Sequence, residues 1–268
     1  MSSERKPQDS PTENLGAEKI QSKREFSRIS TGSYDLNKWL YGGYETDVIT
    51  VIAGNAGSGK TNFCMLVSVS QAKKGNKVIF VDSEGGFSIE RVRQLAKEEF
   101  EKVLENIIIL KPTSFKEQEE DFEKLLKTLK KESGRIGLII VDGMTMHYRL
   151  ELGDAAHDRD DKKIKEVNRK LASQMRTLAE IARKQNIPII VTNQVYGEFL
   201  SNEERNKGVK PEIHMVGGDL LKYWGKCIIL LESERGVRKA FLAKHRSLPE
   251  KSLTFKITND NIIKSGWI

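Results

Sequence analysis

Eight consecutive residues, Gly54, Asn55, Ala56, Gly57, Ser58, Gly59, Lys60 and Thr61, combine chain flexibility, a cation and a hydroxyl in one short loop. They fit the spacing G-x-x-x-x-G-K-[ST]. Glycines at the first, fourth and sixth positions let the backbone turn its N–H groups onto a polyphosphate at a helix N-terminus. Lys60 is then a mobile point charge for the β- and γ-phosphates, and the Thr61 hydroxyl is a ligand for Mg²⁺. With glycine near 7% of residues in general, such a match arises by chance in a chain of this length about once in a hundred. The loop predicts a nucleoside triphosphate site.

Mg²⁺ held this way usually needs a carboxylate as well. Asp142 ends the apolar run Leu138-Ile-Ile-Val-Asp142, where a Walker B aspartate belongs; the other reading is an aspartate that stops a strand before Gly143. Hydrolysis also needs a group that orients or deprotonates water. In many strand-inserted P-loop ATPases a glutamate directly follows the Walker B aspartate, and here that position is Gly143. Glu84, in Asp82-Ser-Glu-Gly-Gly-Phe87, is the candidate. It is expected at the C-terminal end of a strand beside the P-loop strand, facing the γ-phosphate; the alternative is a solvated turn residue.

The elements that must carry these residues are legible as an alternation. Short β-branched runs at 48–53, 77–82, 106–110, 138–142, 188–193 and 227–232 are separated by helical stretches near 60–73, 88–104, 115–132 and 160–185. The last helix has Ile164, Val167, Leu171, Met175, Leu178 and Ile181 on one face. The strand runs are continuously apolar, as in a parallel sheet covered by helices on both faces. Runs at 238–243 and 252–258 predict antiparallel strands added at the edge. The fold class is therefore α/β, a mostly parallel twisted sheet with C-terminal antiparallel edge strands.

The chain has 268 residues, 38% of them hydrophobic, enough for a core and against wholesale disorder. Residues 1–25 hold almost no large apolar side chains and read as a disordered tail without a secretory h-region, so function is expected in 26–268. No run is long enough for a membrane span. Two cysteines, Cys64 and Cys227, supply neither a disulfide framework nor a zinc site, and the expected compartment is the cytoplasm. The net charge of +7 hints weakly at an anionic partner.

Several spaced motifs occur in one order: Ser30-Thr-Gly32-Ser-Tyr-Asp-Leu36, Gly42-Gly43, the P-loop, Val81-Asp-Ser-Glu-Gly-Gly-Phe87 with Glu90-Arg91, the run ending in Asp142, Thr192-Asn-Gln194-Val195 and Ser247-Leu-Pro-Glu250. In this the chain resembles the RecA/Rad-type recombinases, most closely the archaeal RadB branch, over about 28–260. The resemblance implies a RecA-like P-loop NTPase core without the N-terminal helical DNA-binding domain of other branches, and ATP and Mg²⁺ as cofactors. It implies Glu84 as the catalytic glutamate, Arg91 against the adenine face, and Gln194 as the γ-phosphate sensor opening a second DNA-binding loop. Where relatives carry an aspartate serving a neighbouring subunit's ATP, this chain has Lys244. Lys244 or Arg246 is therefore a candidate phosphate contact across a subunit interface, against the alternative of a solvated basic strand end.

The family's two DNA-binding loops would fall at about 147–163 and 197–216, with Arg149, Arg159, Arg205, Lys207 and Lys210 as candidate contacts. Basic and acidic side chains balance there: five of each at 149–165, three against four at 197–216. Strong phosphate binding does not follow from such loops. The span 231–256 has seven basic and three acidic residues. The self-tethering Phe-x-x-Ala segment of recombinase filaments has only Phe26-Ser-Arg-Ile29 as its counterpart. The expectation is an accessory, weakly ATP-hydrolysing repair protein that binds DNA, single-stranded by preference, and acts with a main recombinase or other repair proteins, with self-association open. The alternative is a KaiC-like nucleotide switch acting on a protein partner.

Overall fold

The computed structural model describes residues 27–197 and 213–266. The tail at 1–25, with Phe26, therefore lies outside the described residues, as do Arg205, Lys207 and Lys210.

A nine-stranded sheet forms the centre. In chain order its strands are β3 (Ile49–Gly54), β4 (Lys77–Asp82), β5 (Ile107–Leu110), β6 (Ile136–Asp142), β7 (Ile189–Asn193), β10 (Gly225–Glu234), β11 (Val237–His245), β12 (Lys251–Ile257) and β13 (Ile262–Lys264). In space they run β13-β12-β11-β10-β3-β7-β6-β4-β5. The six from β10 to β5 are parallel, and β10 to β13 pair antiparallel. Valine and isoleucine fill the central strands because both faces are covered, and Val51, Ile52, Ile139, Ile140, Ile190 and Val191 have no exposed surface. Two short hairpins flank the sheet: β1 (Arg28–Ile29) with β2 (Tyr44–Glu45), and β8 (Val195–Gly197) with β9 (Ile213–Met215).

Helices divide between the two faces and close two hydrophobic cores. On one side lie α1 (Tyr34–Trp39), α2 (Lys60–Lys73), α3 (Ile89–Ala96) and α4 (Phe100–Glu105); on the other lie α5 (Phe115–Lys131), α6 (Met146–His157), α7 (Asp161–Gln185) and α8 (Asp219–Trp224). Caps set the boundaries of the longer ones. Ser114 accepts from Glu117 N–H at the start of α5, and Asp160 from Lys163 N–H at the start of α7, which ends on Asn186 in the left-handed region.

Three expectations need correction. The helix read over 88–104 is broken at Lys97, whose φ is +56°, into α3, a 3₁₀ turn and α4; Leu95, Ala96, Phe100 and Val103 keep helical spacing across the break, so periodicity does not mark it. The loop expected at 147–163 is α6, a turn and the first residues of α7. Tyr148 and Ala155 are the apolar residues α6 buries, and its sequence carries no amphipathic stripe. The strand bearing Glu84 is not beside the P-loop strand: β7 and β6 stand between β3 and β4.

Candidate active site

Gly54 closes β3 and Lys60 opens α2, so the loop between them lies at the C-terminal edge of the parallel sheet. Gly57 and Gly59 have φ of +73° and +112°, a region that favours glycine. A methyl group on Gly54 would stand 2.4 Å from the Leu231 carbonyl oxygen and 2.7 Å from Ser58 Oγ, so this close approach also requires glycine. Lys60 is buried, and its Nζ donates to the carbonyls of Gly54 (3.0 Å) and Asn55 (3.1 Å), lying across the mouth of the loop. Ser58 Oγ is buried without a hydrogen-bond partner.

Asp142 comes up from β6 to meet the first turn of α2. The Thr61 hydroxyl donates to Asp142 Oδ2 (2.7 Å) and the Thr192 hydroxyl to Oδ1 (2.6 Å), while Gly143 N–H donates to Thr192 Oγ1 (2.7 Å). Burial pushes the Asp142 carboxyl above the ordinary range; the two hydroxyls oppose that, and the charges of Glu84 and Asp82 add to it. A buried carboxylate with two acidic neighbours and a hydroxyl already on its oxygen is a hard-oxygen donor set short of positive charge. A methyl on Gly86 would lie 3.1 Å from Thr61 Oγ1 and 3.7 Å from Asp142 Oδ2, so glycine keeps that space clear. Thr61 and Asp142 fit a hard divalent cation.

Glu84 reaches the same edge from β4. Asp82, itself buried, accepts from the N–H groups of Gly86 (2.9 Å) and Phe87 (3.1 Å) and so pins the turn that carries Glu84. The side chain passes over Gly143, the residue after Asp142. Gln194, just beyond β7, donates from Nε2 to Glu84 Oε1 (3.2 Å). Lys60, Thr61, Asp142, Glu84 and Gln194 therefore converge from four elements, β7 closing the gap that separates β4 from β3. Sequence reading did not single out Asp82 or Thr192; an aspartate at a strand end before paired glycines was a signal for the first, while the second is marked only by the pairing of β7 with β6.

The remaining candidates have other partners. Arg91 donates from Nη1 to the Asn259 carbonyl (2.7 Å) and Gln94 Oε1 (3.0 Å), while its Nε and Nη2 are shielded without partners. Lys244 Nζ donates to the Lys222 carbonyl (2.6 Å) at the end of α8, and burial together with Lys226 lowers its pKa. Arg246 is held by its own subunit: its guanidinium grips both Asp47 oxygens (2.9 and 2.6 Å) and its Nε lies 2.8 Å from Glu45 Oε2. Arg149 stands exposed on α6, and Arg159 follows α6 with φ +54°. Among the described residues no helix is long and apolar enough to cross a membrane.

Comparison with known proteins adds two findings. A family model described as Rad51 matches residues 22–265. Three proteins named DNA repair and recombination protein RadB are similar over most of their length. The one from Methanobrevibacter smithii is 40% identical over 239 residues, 88% of this chain and 95% of its own. That from Methanococcoides burtonii is 41% identical over 229 residues, 85% and 93% respectively. That from Methanocaldococcus jannaschii is 39% identical over 227 residues, 85% and 98%.

Proposed function

The chain belongs to the Rad51 family of RecA-fold recombination proteins, as a RadB-type member, and from that premise we propose that it is an ATP-hydrolysing accessory factor of DNA repair rather than the main strand-exchange filament. The observation that carries the ATPase reading is the contact between Gln194 and Glu84, whose side chain lies against Gly143 next to the Thr61–Asp142 pair.

In this reading Gly54 to Thr61 cradle the triphosphate, and Lys60 leaves its own loop carbonyls for the β- and γ-phosphates. Thr61 and Asp142 hold Mg²⁺, which when bound neutralises charge on the phosphate oxygens. Glu84 orients the attacking water for in-line displacement, and Gln194 reports the γ-phosphate to the segment after β7. Arg91 lies against the adenine. The ATPase core corresponds to 26–268, with 1–25 as an appended tail, and the protein works in the cytoplasm on single-stranded DNA beside a main recombinase or other repair proteins. Lys244 is the better candidate for a phosphate contact in a neighbouring subunit, since Arg246 would first have to leave Asp47 and Glu45. The balanced charges of 149–165 and 197–216 favour the accessory role and leave the protein-directed switch as the competing reading.

The test is turnover and binding measured side by side. Lys60→Ala is expected to lose ATP binding. Glu84→Gln is expected to bind ATP as the parent does while hydrolysing it about 10²-fold or more slowly, the scale of a positioned base. Parental turnover by Glu84→Gln would remove Glu84 from the role.

A further inference from the structure

Asn193, the last residue of β7, has no exposed surface, and every polar atom of its side chain is engaged. Its Oδ1 accepts from the Thr145 hydroxyl and from Gln194 N–H (3.0 Å), and its Nδ2 donates to the Val216 carbonyl (2.7 Å). The three partners belong to different things. Thr145 stands at the N-cap of α6, the segment that follows Asp142. Gln194 touches Glu84. Val216 follows β9 on the return limb of the hairpin that begins at Val195, and its N–H donates back to the Gln194 carbonyl (3.1 Å).

Thr145 adds an independent sign. A threonine in an N-cap position ordinarily turns its oxygen onto the second or third N–H of its helix. Here α6 has no side-chain cap, and the hydroxyl is spent on Asn193 instead. The start of α6 is thus fastened to β7 rather than to itself. The neighbouring Thr192 binds Asp142, so consecutive residues of one strand tip hold the candidate metal carboxylate and both segments that leave the site.

Given the ATP site proposed above, we infer that Asn193 is a positioning residue: its amide joins α6 and the β8–β9 hairpin, so that a displacement of Gln194 by nucleotide moves both segments together. An amide whose oxygen and nitrogen are both bonded, with no exposed surface, is a stiff link, because breaking a bond leaves a polar group short of a partner away from water. Asn193 need not touch nucleotide for this.

Hydrogen exchange on the full chain tests the joint, with Thr145→Val as the main variant. Valine has the shape of threonine without the hydroxyl, and Asn193 Oδ1 keeps Gln194 N–H as a donor. Without nucleotide, exchange of the Tyr196, His214 and Val216 amides, the ones that bond across the β8–β9 pair, should speed up about three- to fivefold, the population change that a lost hydrogen bond produces. Thr145→Ser, which restores the hydroxyl, should return it to the parental rate. An effect confined to α6 overturns the joint. With Mg²⁺ and a slowly hydrolysed ATP analogue, the parent should slow in both segments. Thr145→Val should then respond in the hairpin alone, which also reaches Gln194 through Val195 and the Val216 N–H. A response of α6 in Thr145→Val as large as the parent's also overturns it. If the parent does not bind the analogue, the ATP reading fails, and the nucleotide-free comparison still decides the joint.

Discussion

Gly143 has φ +89°, and a methyl group built on it would stand 2.5 Å from Glu84 Cγ. Many P-loop ATPases carry their water-orienting glutamate at the position Gly143 occupies; here the carboxylate arrives from β4 instead, and the residue after Asp142 must be small and left-handed to let it pass. This reciprocity is a direct contact, so it can be broken by one methyl. Gly143→Ala should displace Glu84 and lower ATP hydrolysis by about 10²-fold, the contribution of a positioned base, with ATP affinity nearly unchanged because Gly143 does not line the phosphate loop. The left-handed alanine adds roughly 1–2 kcal/mol of backbone cost, seen as a lower Tm. Parental hydrolysis in this variant would mean that Glu84 is not the group that orients water.

The end of β11 carries two cations two positions apart, Lys244 within the strand and Arg246 just beyond it. Arg246 ties this strand end to Asp47 and Glu45 at the other edge of β3, and Glu45 is only 3% exposed, also bonded to Arg28. Arg246→Ala leaves a buried carboxylate short of one partner and should cost roughly 2–4 kcal/mol, a fall in Tm of about 5–15 °C. The Asp47 carboxyl is held below its ordinary range by the Arg246 bonds, so its share is full at neutral pH and is lost only as pH falls through the lowered value; the Tm gap between parent and variant should narrow there. Lys244→Ala removes only a bond to the end of α8 and should hardly change Tm. Its effect is expected on hydrolysis, and only at protein concentrations where subunits associate; a concentration-independent rate would show that Lys244 serves no neighbour.

Sequence gave up these elements unevenly, for physical reasons. The runs around Val51, Ile140 and Val191 and the stripe from Val167 to Leu178 declare themselves because burial demands continuous or periodic apolar residues. The nucleotide loop is legible because its steric needs admit only glycine at fixed places. The helix α6 is not, since it buries little beyond Tyr148 and Ala155, and the break at Lys97 leaves no trace in the apolar spacing. Strand order was illegible too: nothing local to Lys77–Asp82 states that β6 and β7 separate it from β3. The Arg246–Asp47 pair spans 199 positions and the Thr192–Asp142 bond 50, contacts that only the closed sheet creates.

Across the whole molecule the net charge of +7 is not concentrated where the family's DNA-binding segments would lie. Few phosphates are then neutralised, and the salt dependence of single-stranded DNA binding should be shallow, with log K falling against log salt at a slope of about −1 to −3. No salt-sensitive binding at low ionic strength would favour the protein-directed switch. In the proposed mechanism one triphosphate, one cation and one water meet where β3, β4, β6 and β7 end. The decisive measurement is a crystal structure with Mg²⁺ and a non-hydrolysable ATP analogue. It should show Lys60 swung from the Gly54 and Asn55 carbonyls onto phosphate, the cation between Thr61 and Asp142, and Glu84 beside the terminal phosphate with Gln194 close to it. An analogue bound elsewhere, or Glu84 turned away from the phosphate with Lys60 still on its own loop, would contradict it.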